Sequence, residues 1–412
     1  MRIVDVSESY SPQGGGVRTY VHAKLRAAAA LGHDVTIVAP GTSDEEQTVP
    51  GGRILRIKSP RSPFDARYGV FVSPRPVHAA MLALQPDLVE GSSPWLGGHI
   101  AGTYPGDAKR VMVFHTDPVA VWAQTLLSPR LGFGSVDRLM MPAWQAFRRM
   151  SAKFDGTVVS GLWLARRLLS QGFRRPLVVP FGIDKSRFDA AARSEDMRTE
   201  LLAACGLGPD AQLVAVVGRL DPEKRIGTLI RAFDRARRHR PMGLVIFGRG
   251  ALAPIYGAMA KRVPGVHMAG FVDTPERMST ALASADAFLH GGAAETYGMA
   301  VAESICAGVP VVVPDVGGAN ALYGAPGRAL QGRRSGRRCG GAAAPARPRS
   351  GGAAPGVRRQ GRCDPVDRAA LREPLRGLRR AVCRGPQQPG DTAAAGRVVS
   401  RRAPRSRLPR QA

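Results

Sequence analysis

Cysteine is scarce in this chain: there are 5 in 412 residues. They stand at positions 205, 306, 339, 363 and 383, a scatter that gives neither a disulfide framework nor the paired spacing of a zinc site. Cys205 and Cys306 therefore read as ordinary buried thiols. No stretch approaches the ~18 consecutive apolar residues of a membrane span. No early segment joins a basic start, an apolar run and a small-residue cleavage site, because residues 1–7 read directly as a first strand. A cytoplasmic protein is expected, at most peripheral to the inner face of a membrane.

Acidic residues are in deficit as well, with 32 Asp and Glu against 59 Lys and Arg and a net charge of +27. Such an excess usually signals a nucleic-acid or anionic-membrane partner, so its location decides what it means. Residues 327–412 hold 22 Arg, no Lys and 4 acids, which leaves 37 basic against 28 acidic residues in 1–326. The main body is only moderately basic. The tail also lacks Ile, Phe, Tyr, Trp, Met, His and Asn. It cannot bury enough apolar surface to offset chain entropy, so disorder is expected. Arg, Gly, Ala and Pro are what GC-rich DNA encodes when read out of frame, and a frameshift near 320–327 is the expected origin. With no interleaved aromatics, the tail is not expected to bind nucleic acid.

A chain of this length suits two α/β domains. Short apolar runs alternate with helical-period segments, the pattern of parallel sheets made of βαβ units. Strands are expected at 3–6, 35–39, 54–57, 87–90, 111–114, 157–159 and 177–179. A second series is expected at 213–217, 244–247, 266–269, 287–290 and 309–313, with helices beginning near Ile226, Leu252, Pro275 and Met299. Residues 181–207 show no strand pattern and read as the linker. The expected division is 1–185 for a first Rossmann-like domain and 186–326 for a second, incomplete one. Ligands of such folds sit outside the carboxyl ends of the strands, which places the chemistry in a cleft between the halves.

Four constellations fall at such strand ends. Gly14, Gly15, Gly16 and Val17 follow the first strand and open a helix, where backbone N–H groups favour an anion, although a plain turn has the same appearance. His115 ends the apolar strand Val111-Met112-Val113-Phe114 and faces the expected cleft. The segment Gly218-Arg219-Leu220-Asp221-Pro222-Glu223-Lys224 brings a guanidinium and an ammonium to the end of the second domain's first strand, a pair suited to a diphosphate whose charge grows as it leaves. The fourth runs from His290 to Ser304 and sets Glu295 in a glycine-rich loop and Glu303 two turns into an apolar helix. Both carboxylates can meet one ligand if that helix points its N-terminus into the cleft. Glu295 would then accept from sugar hydroxyls, Glu303 from ribose, and the N–H groups around Gly298, Met299 and Ala300 would meet phosphate.

These residues resemble the retaining nucleotide-sugar glycosyltransferases of family 4, which have the GT-B fold. The resemblance runs from Met1 to about Asn320 and rests on the glycine loop, G-R-L-x-P-E-K, and E-x7-E followed by A-G-V-P-V-V. It implies that Gly15 and Gly16 approach the donor phosphate and that His115 lies beside the transferred sugar. It further implies that Arg219 and Lys224 hold the diphosphate, that Glu295 with the Gly298–Met299 backbone binds the sugar, that Glu303 binds the ribose, and that Phe271 and Val272 lie near the base. The implied donor is a UDP- or GDP-sugar and the implied acceptor a hydroxyl, lipid-linked or saccharide. No cofactor is expected, and no essential metal, since a D-x-D motif has no convincing counterpart in a suitable loop. The rivals are an epimerase or phosphorylase of the same architecture and a nucleic-acid-binding protein acting through the basic tail. The basic amphipathic segments at 147–150 and 162–169 could rest on a membrane, but core-facing helices with solvated edges account for them better.

Overall fold

The computed structural model describes residues 1–12, 14–63 and 67–322. The Arg-rich tail and the inferred shift of frame lie outside these residues. Two sheets organise the rest. The first contains β1 (Arg2–Val6), β2 (Asp34–Gly41), β3 (Glu45–Val49), β4 (Gly52–Lys58), β5 (Leu88–Gly91), β6 (Lys109–Phe114), β7 (Gly156–Val159) and β8 (Leu177–Val178), in the order β3-β4-β2-β1-β5-β6-β7-β8. The second contains β9 (Gln212–Val217), β10 (Met242–Phe247), β11 (Val266–Gly270), β12 (Ala287–Leu289) and β13 (Val311–Val312), in the order β11-β10-β9-β12-β13.

Apolar runs become parallel strands because helices cover both faces of each sheet. Every residue of β10 is buried, for example, so no polar face is needed. The helix Ile226–Ala236 shows the matching stripe: Ile226, Leu229, Ile230 and Phe233 are all buried against the second sheet. In each sheet the strand order reverses beside the first strand, between β1 and β5 and between β9 and β12. Those two switch points open crevices at the carboxyl ends of the strands. The glycine loop follows β1, Gly218–Lys224 follows β9, and the loop from His290 follows β12.

Three features depart from the sequence reading. β3 pairs antiparallel with β4 and was not expected, because its Glu45, Glu46, Gln47 and Thr48 are exposed and carry no apolar alternation. Residues 181–207, read as a linker, contain the helix Glu195–Ala204. Ser194 caps it by accepting from Met197 N–H at 3.2 Å, and Leu201 and Leu202 anchor it to the second core. The last strand is only Val311–Val312. The segments weighed for membrane contact turn their apolar faces inward: Met141–Ser151 buries Trp144, Phe147 and Met150, and Leu162–Ser170 buries Leu164, Ala165 and Leu168. No helix among the described residues is long and apolar enough to cross a membrane.

Candidate active site

The site is assembled from β-strand ends on both sides of the cleft. His115 directly follows β6 and is buried. Its carbonyl accepts from the Thr296 hydroxyl of the second domain at 2.6 Å. Tyr297, the next residue, donates its hydroxyl to the Phe181 carbonyl at 2.6 Å. The His115 ring is walled by Tyr20 and Phe181, with centroids at 4.9 and 5.7 Å, while its Nε2 is buried without a hydrogen-bond partner among the described residues. Burial pulls its pKa down to about 4 against the opposing pull of Asp5, so the ring is neutral at pH 7. A neutral imidazole with an unmet polar atom suits a sugar hydroxyl.

Across the cleft, the turn after β9 presents Arg219 and Lys224, each already paired. Arg219 meets Asp221 at 3.0 Å and Glu223 at 2.7 Å. Lys224 forms a short ion pair with Glu295 and lies 3.8 Å from Glu223. Burial alone would raise the Glu295 carboxyl, but the Lys224 charge overrides it and holds the pKa at about 2. His290 Nε2 lies 3.6 Å from the same carboxylate, yet burial lowers that imidazole to about 4, so it faces Glu295 as a neutral ring.

Two glycines make this loop possible. Gly298 has φ +92 at the cap of helix Met299–Cys306, a conformation that favours glycine. At Gly318 a Cβ would stand 1.8 Å from the Thr296 carbonyl, so the following segment can close over the loop only without a side chain. Met299, at the N-terminus of that helix, faces the glycine loop of the other domain: a Cβ on Gly16 would lie 3.8 Å from its side chain.

The structure thus pairs Lys224 with Glu295, joins the neighbouring Thr296 to His115, and sets Gly16 against Met299. Arg219 stands one residue pair away, behind Glu223. Glu303 lies about one turn into helix Met299–Cys306, where burial raises its carboxyl to about 7 against the opposing charge of Arg187. Phe271 and Val272 follow β11 at the sheet edge, and Phe271 is exposed with the Arg249 guanidinium 3.8 Å over its ring. Sequence reasoning passed over the acids that neutralise the two cations, the His290 contact, and a buried network beneath His115. There Lys24 donates to Asp5 at 2.7 Å and to Glu90, tying the helix of the glycine loop to β1 and β5. Asp5 was the available signal, a charge inside an otherwise apolar buried strand.

A cleft between two parallel-sheet domains, with paired cations at a β-strand end and a carboxylate loop facing a neutral histidine, defines a nucleotide-sugar glycosyltransferase of the GT-B fold. The chain belongs to glycosyltransferase family 4 and moves a hexosyl group from a nucleotide-diphosphate sugar to an acceptor hydroxyl with retention. The model of Glycosyltransferase Family 4 matches residues 14–187, and that of Glycosyl transferases group 1 matches residues 198–325. A GDP-mannose-dependent alpha-mannosyltransferase of Mycobacterium tuberculosis is 30% identical over 326 residues, covering 77% of this chain and 80% of that protein. A GDP-mannose-dependent alpha-(1-6)-phosphatidylinositol dimannoside mannosyltransferase of the same organism is 30% identical over 328 residues, covering 76% and 79%. Among solved structures, sucrose-phosphate synthase from Thermosynechococcus elongatus shares the fold, with TM-score 0.63 and 19% identity over 78% of this chain and 83% of that one. Anabaena HepE in complex with UDP and glucose does so with TM-score 0.56 and 16% identity, covering 78% and 83%.

Proposed function

We propose that the chain is a metal-independent mannosyltransferase that uses GDP-mannose and acts on a hydroxyl of a glycolipid or saccharide. The observation that carries this reading is the Lys224–Glu295 pair, whose loop is tied to the first domain by the Thr296 hydroxyl donating to the carbonyl of His115, a residue whose Nε2 is buried without a partner among the described residues. The identity of the hexose and base draws on the GDP-mannose-dependent relatives.

Glu295 accepts from sugar hydroxyls, aided by the backbone of Gly298 and Met299, and His115 contacts the same sugar. Arg219, Lys224 and the N–H groups of Gly15, Gly16 and Ala300 take the diphosphate. Glu303 holds the ribose, and Phe271 with Val272 borders the base. As the anomeric bond breaks, negative charge builds on the diphosphate and positive charge on the ring, so fixed cations at one end lower the barrier. Attack by the acceptor hydroxyl on the face just vacated, its proton passing to an oxygen of the departing diphosphate, preserves the configuration. With two side-chain cations and helix N-termini at the leaving group, no Lewis acid is required.

A peripheral membrane contact is part of this reading. The segment 125–141 exposes Leu126, Leu131, Phe133, Leu139 and Met141 beside the exposed Arg130 and Arg138, a mixture that suits an anionic lipid surface.

The test is a thermal-shift screen of the full chain against GDP-, UDP- and ADP-sugars, followed by analysis of the product anomer. Selective stabilisation by GDP-mannose and an α-linked product are expected. Stabilisation by UDP-sugars alone would overturn the donor, and an inverted product the mechanism.

A further inference from the structure

Beside the transfer site, the two domains enclose a cavity of about 180 Å³. Its first-domain wall includes Ala120, Phe133 and Trp163, and its second-domain wall Ala293, Ala294 and Val316. Three charged side chains also reach it: Glu223, Arg167 and Arg225. Two of the three are neutralised. Glu223 pairs with Arg219, and Arg167 pairs with Asp117 at 2.6 Å and Asp137 at 2.5 Å.

Arg225 differs. Among the described residues no carboxylate lies within ion-pair distance of it, and burial lowers its basicity with nothing opposing. Its backbone is left-handed, at φ +50 and ψ +36, which glycine adopts freely and other residues adopt at a cost. The turn is fixed by its N–H donating to Pro222 O at 3.1 Å and its carbonyl accepting from Thr228 N–H at 2.8 Å. A long cationic side chain is therefore delivered, through a strained position, into an apolar cavity where no partner waits. A partly desolvated guanidinium is stabilised by a bidentate oxyanion, and strain of this kind concentrates where a ligand is held.

We propose that Arg225 recognises the acceptor by holding a phosphodiester group at the mouth of this cavity, with the acceptor's apolar part against Phe133 and Trp163. This rests on the cleft being the transfer site. One unpaired guanidinium matches the single charge of a phosphodiester, and the aromatic walls match an amphipathic ligand. The donor's diphosphate has Arg219 and Lys224 on the other side of Glu223. The phosphodiester can come from a lipid headgroup or from a soluble polyol conjugate.

The experiment uses the full chain saturated with GDP and three probes: phosphatidylinositol in detergent micelles, water-soluble glycerophosphoinositol and uncharged octyl mannoside. Binding is measured for the parent, Arg225→Gly and Arg225→Lys. Both phosphodiesters should bind the parent more tightly than octyl mannoside. Arg225→Gly should weaken them by about tenfold or more while leaving octyl mannoside and GDP unchanged, and Arg225→Lys should keep part of the affinity. Glycine suits the backbone here, so unchanged GDP binding also reports an intact fold. Stronger binding of the micellar lipid than of glycerophosphoinositol assigns the lipid source, and equal binding the soluble one. Phosphodiesters that bind no better than octyl mannoside, or that ignore Arg225→Gly, overturn the proposal. A loss of GDP affinity in that variant overturns it too, by moving Arg225 to the donor side. A parent that fails to bind GDP instead sinks the reading of the cleft, and the phosphodiester comparison without nucleotide then judges Arg225 alone.

Discussion

Replacing Glu295 by Gln removes the carboxylate while keeping the side chain's shape, and it should cost stability and turnover separately. In its folded setting the Glu295 carboxyl sits at about 2 instead of its ordinary 4.5, which is worth about 3 kcal/mol to the charged form. The same pairing raises Lys224, so the two shifts describe one interaction and are not added. Without the carboxylate, Lys224 retains, among the described residues, only Glu223 at 3.8 Å as an acidic partner. Glu295→Gln should therefore destabilise the second domain by about 3 kcal/mol at pH 7. The sign follows from the depressed pKa: the parent holds this stability above pH 4.5 and loses it as pH falls toward 2. The gap between parent and variant should be flat from pH 5 to 8 and narrow below. All four Trp, at 95, 122, 144 and 163, belong to the first sheet's half of the chain, so their fluorescence reports on the second domain only indirectly, through Trp163 at the cavity between the domains. Amide exchange in peptides spanning β9 and β12 would. Turnover should fall strongly with GDP affinity nearly intact. Equal exchange protection in the two proteins would refute the energetic argument. Collapsed GDP affinity with preserved turnover of bound donor would refute the role.

Arg219→Ala and Lys224→Ala should each weaken GDP binding and transfer together, by roughly 2–4 kcal/mol in transition-state terms; unchanged kinetics in both would remove them from the site. Because Glu303 is raised to about 7, it is largely protonated at pH 6, and GDP affinity should rise between pH 6 and 8 as the carboxylate forms to accept from ribose. Glu303→Gln should flatten the part of that rise that remains after the nucleotide's own titration is subtracted, as calorimetry at three pH values will show. For stability the sign is opposite: a raised carboxyl favours the fold below 4.5 and this contribution fades as pH climbs through 7. Translating the coding DNA in its other two frames beyond residue 320 should restore strand and helix periodicity in one of them, and absence of any such frame counts against the frameshift.

The strands that carry the site were legible because each is buried on both faces and so spells a continuous apolar run. β3 was not, since the chain holds it by backbone pairing and by exposed ion pairs such as Arg56–Glu45 at 3.3 Å, which leave no periodic trace. The glycine loop, His115, the Arg219–Lys224 turn and the Glu295–Glu303 pair could be found because each sits where an apolar run breaks into polar residues. Their mutual contacts could not. Lys224 and Glu295, 71 positions apart, meet because β9 and β12 are neighbours in one sheet, and Thr296 and His115, 181 apart, meet only through how two separately folded sheets face each other. Arg225 was invisible for a different reason. Its charge looks like any solvated arginine until the left-handed turn and the missing acid become visible.

The charges of the cleft explain how a chain can keep two partly buried cations in place before an anionic donor arrives. Isolated, the Arg219 and Lys224 charges would each be opposed by burial. Asp221, Glu223 and Glu295 neutralise them in place, so the fold tolerates the cations before any donor arrives. The arrangement also fixes their positions, which matters because a transition state gains most from charges that need no reorganisation. In the proposed mode of donor binding, a diphosphate entering beside Arg219 would compete with Glu223 for the same guanidinium, and the contact it gains would be an exchange of partners, not a new pairing. Binding energy would thereby be moderated in the ground state. It would grow as the leaving group becomes more negative, since the carboxylate's charge is constant and the phosphate's increases. Differential stabilisation of that kind is what accelerates transfer.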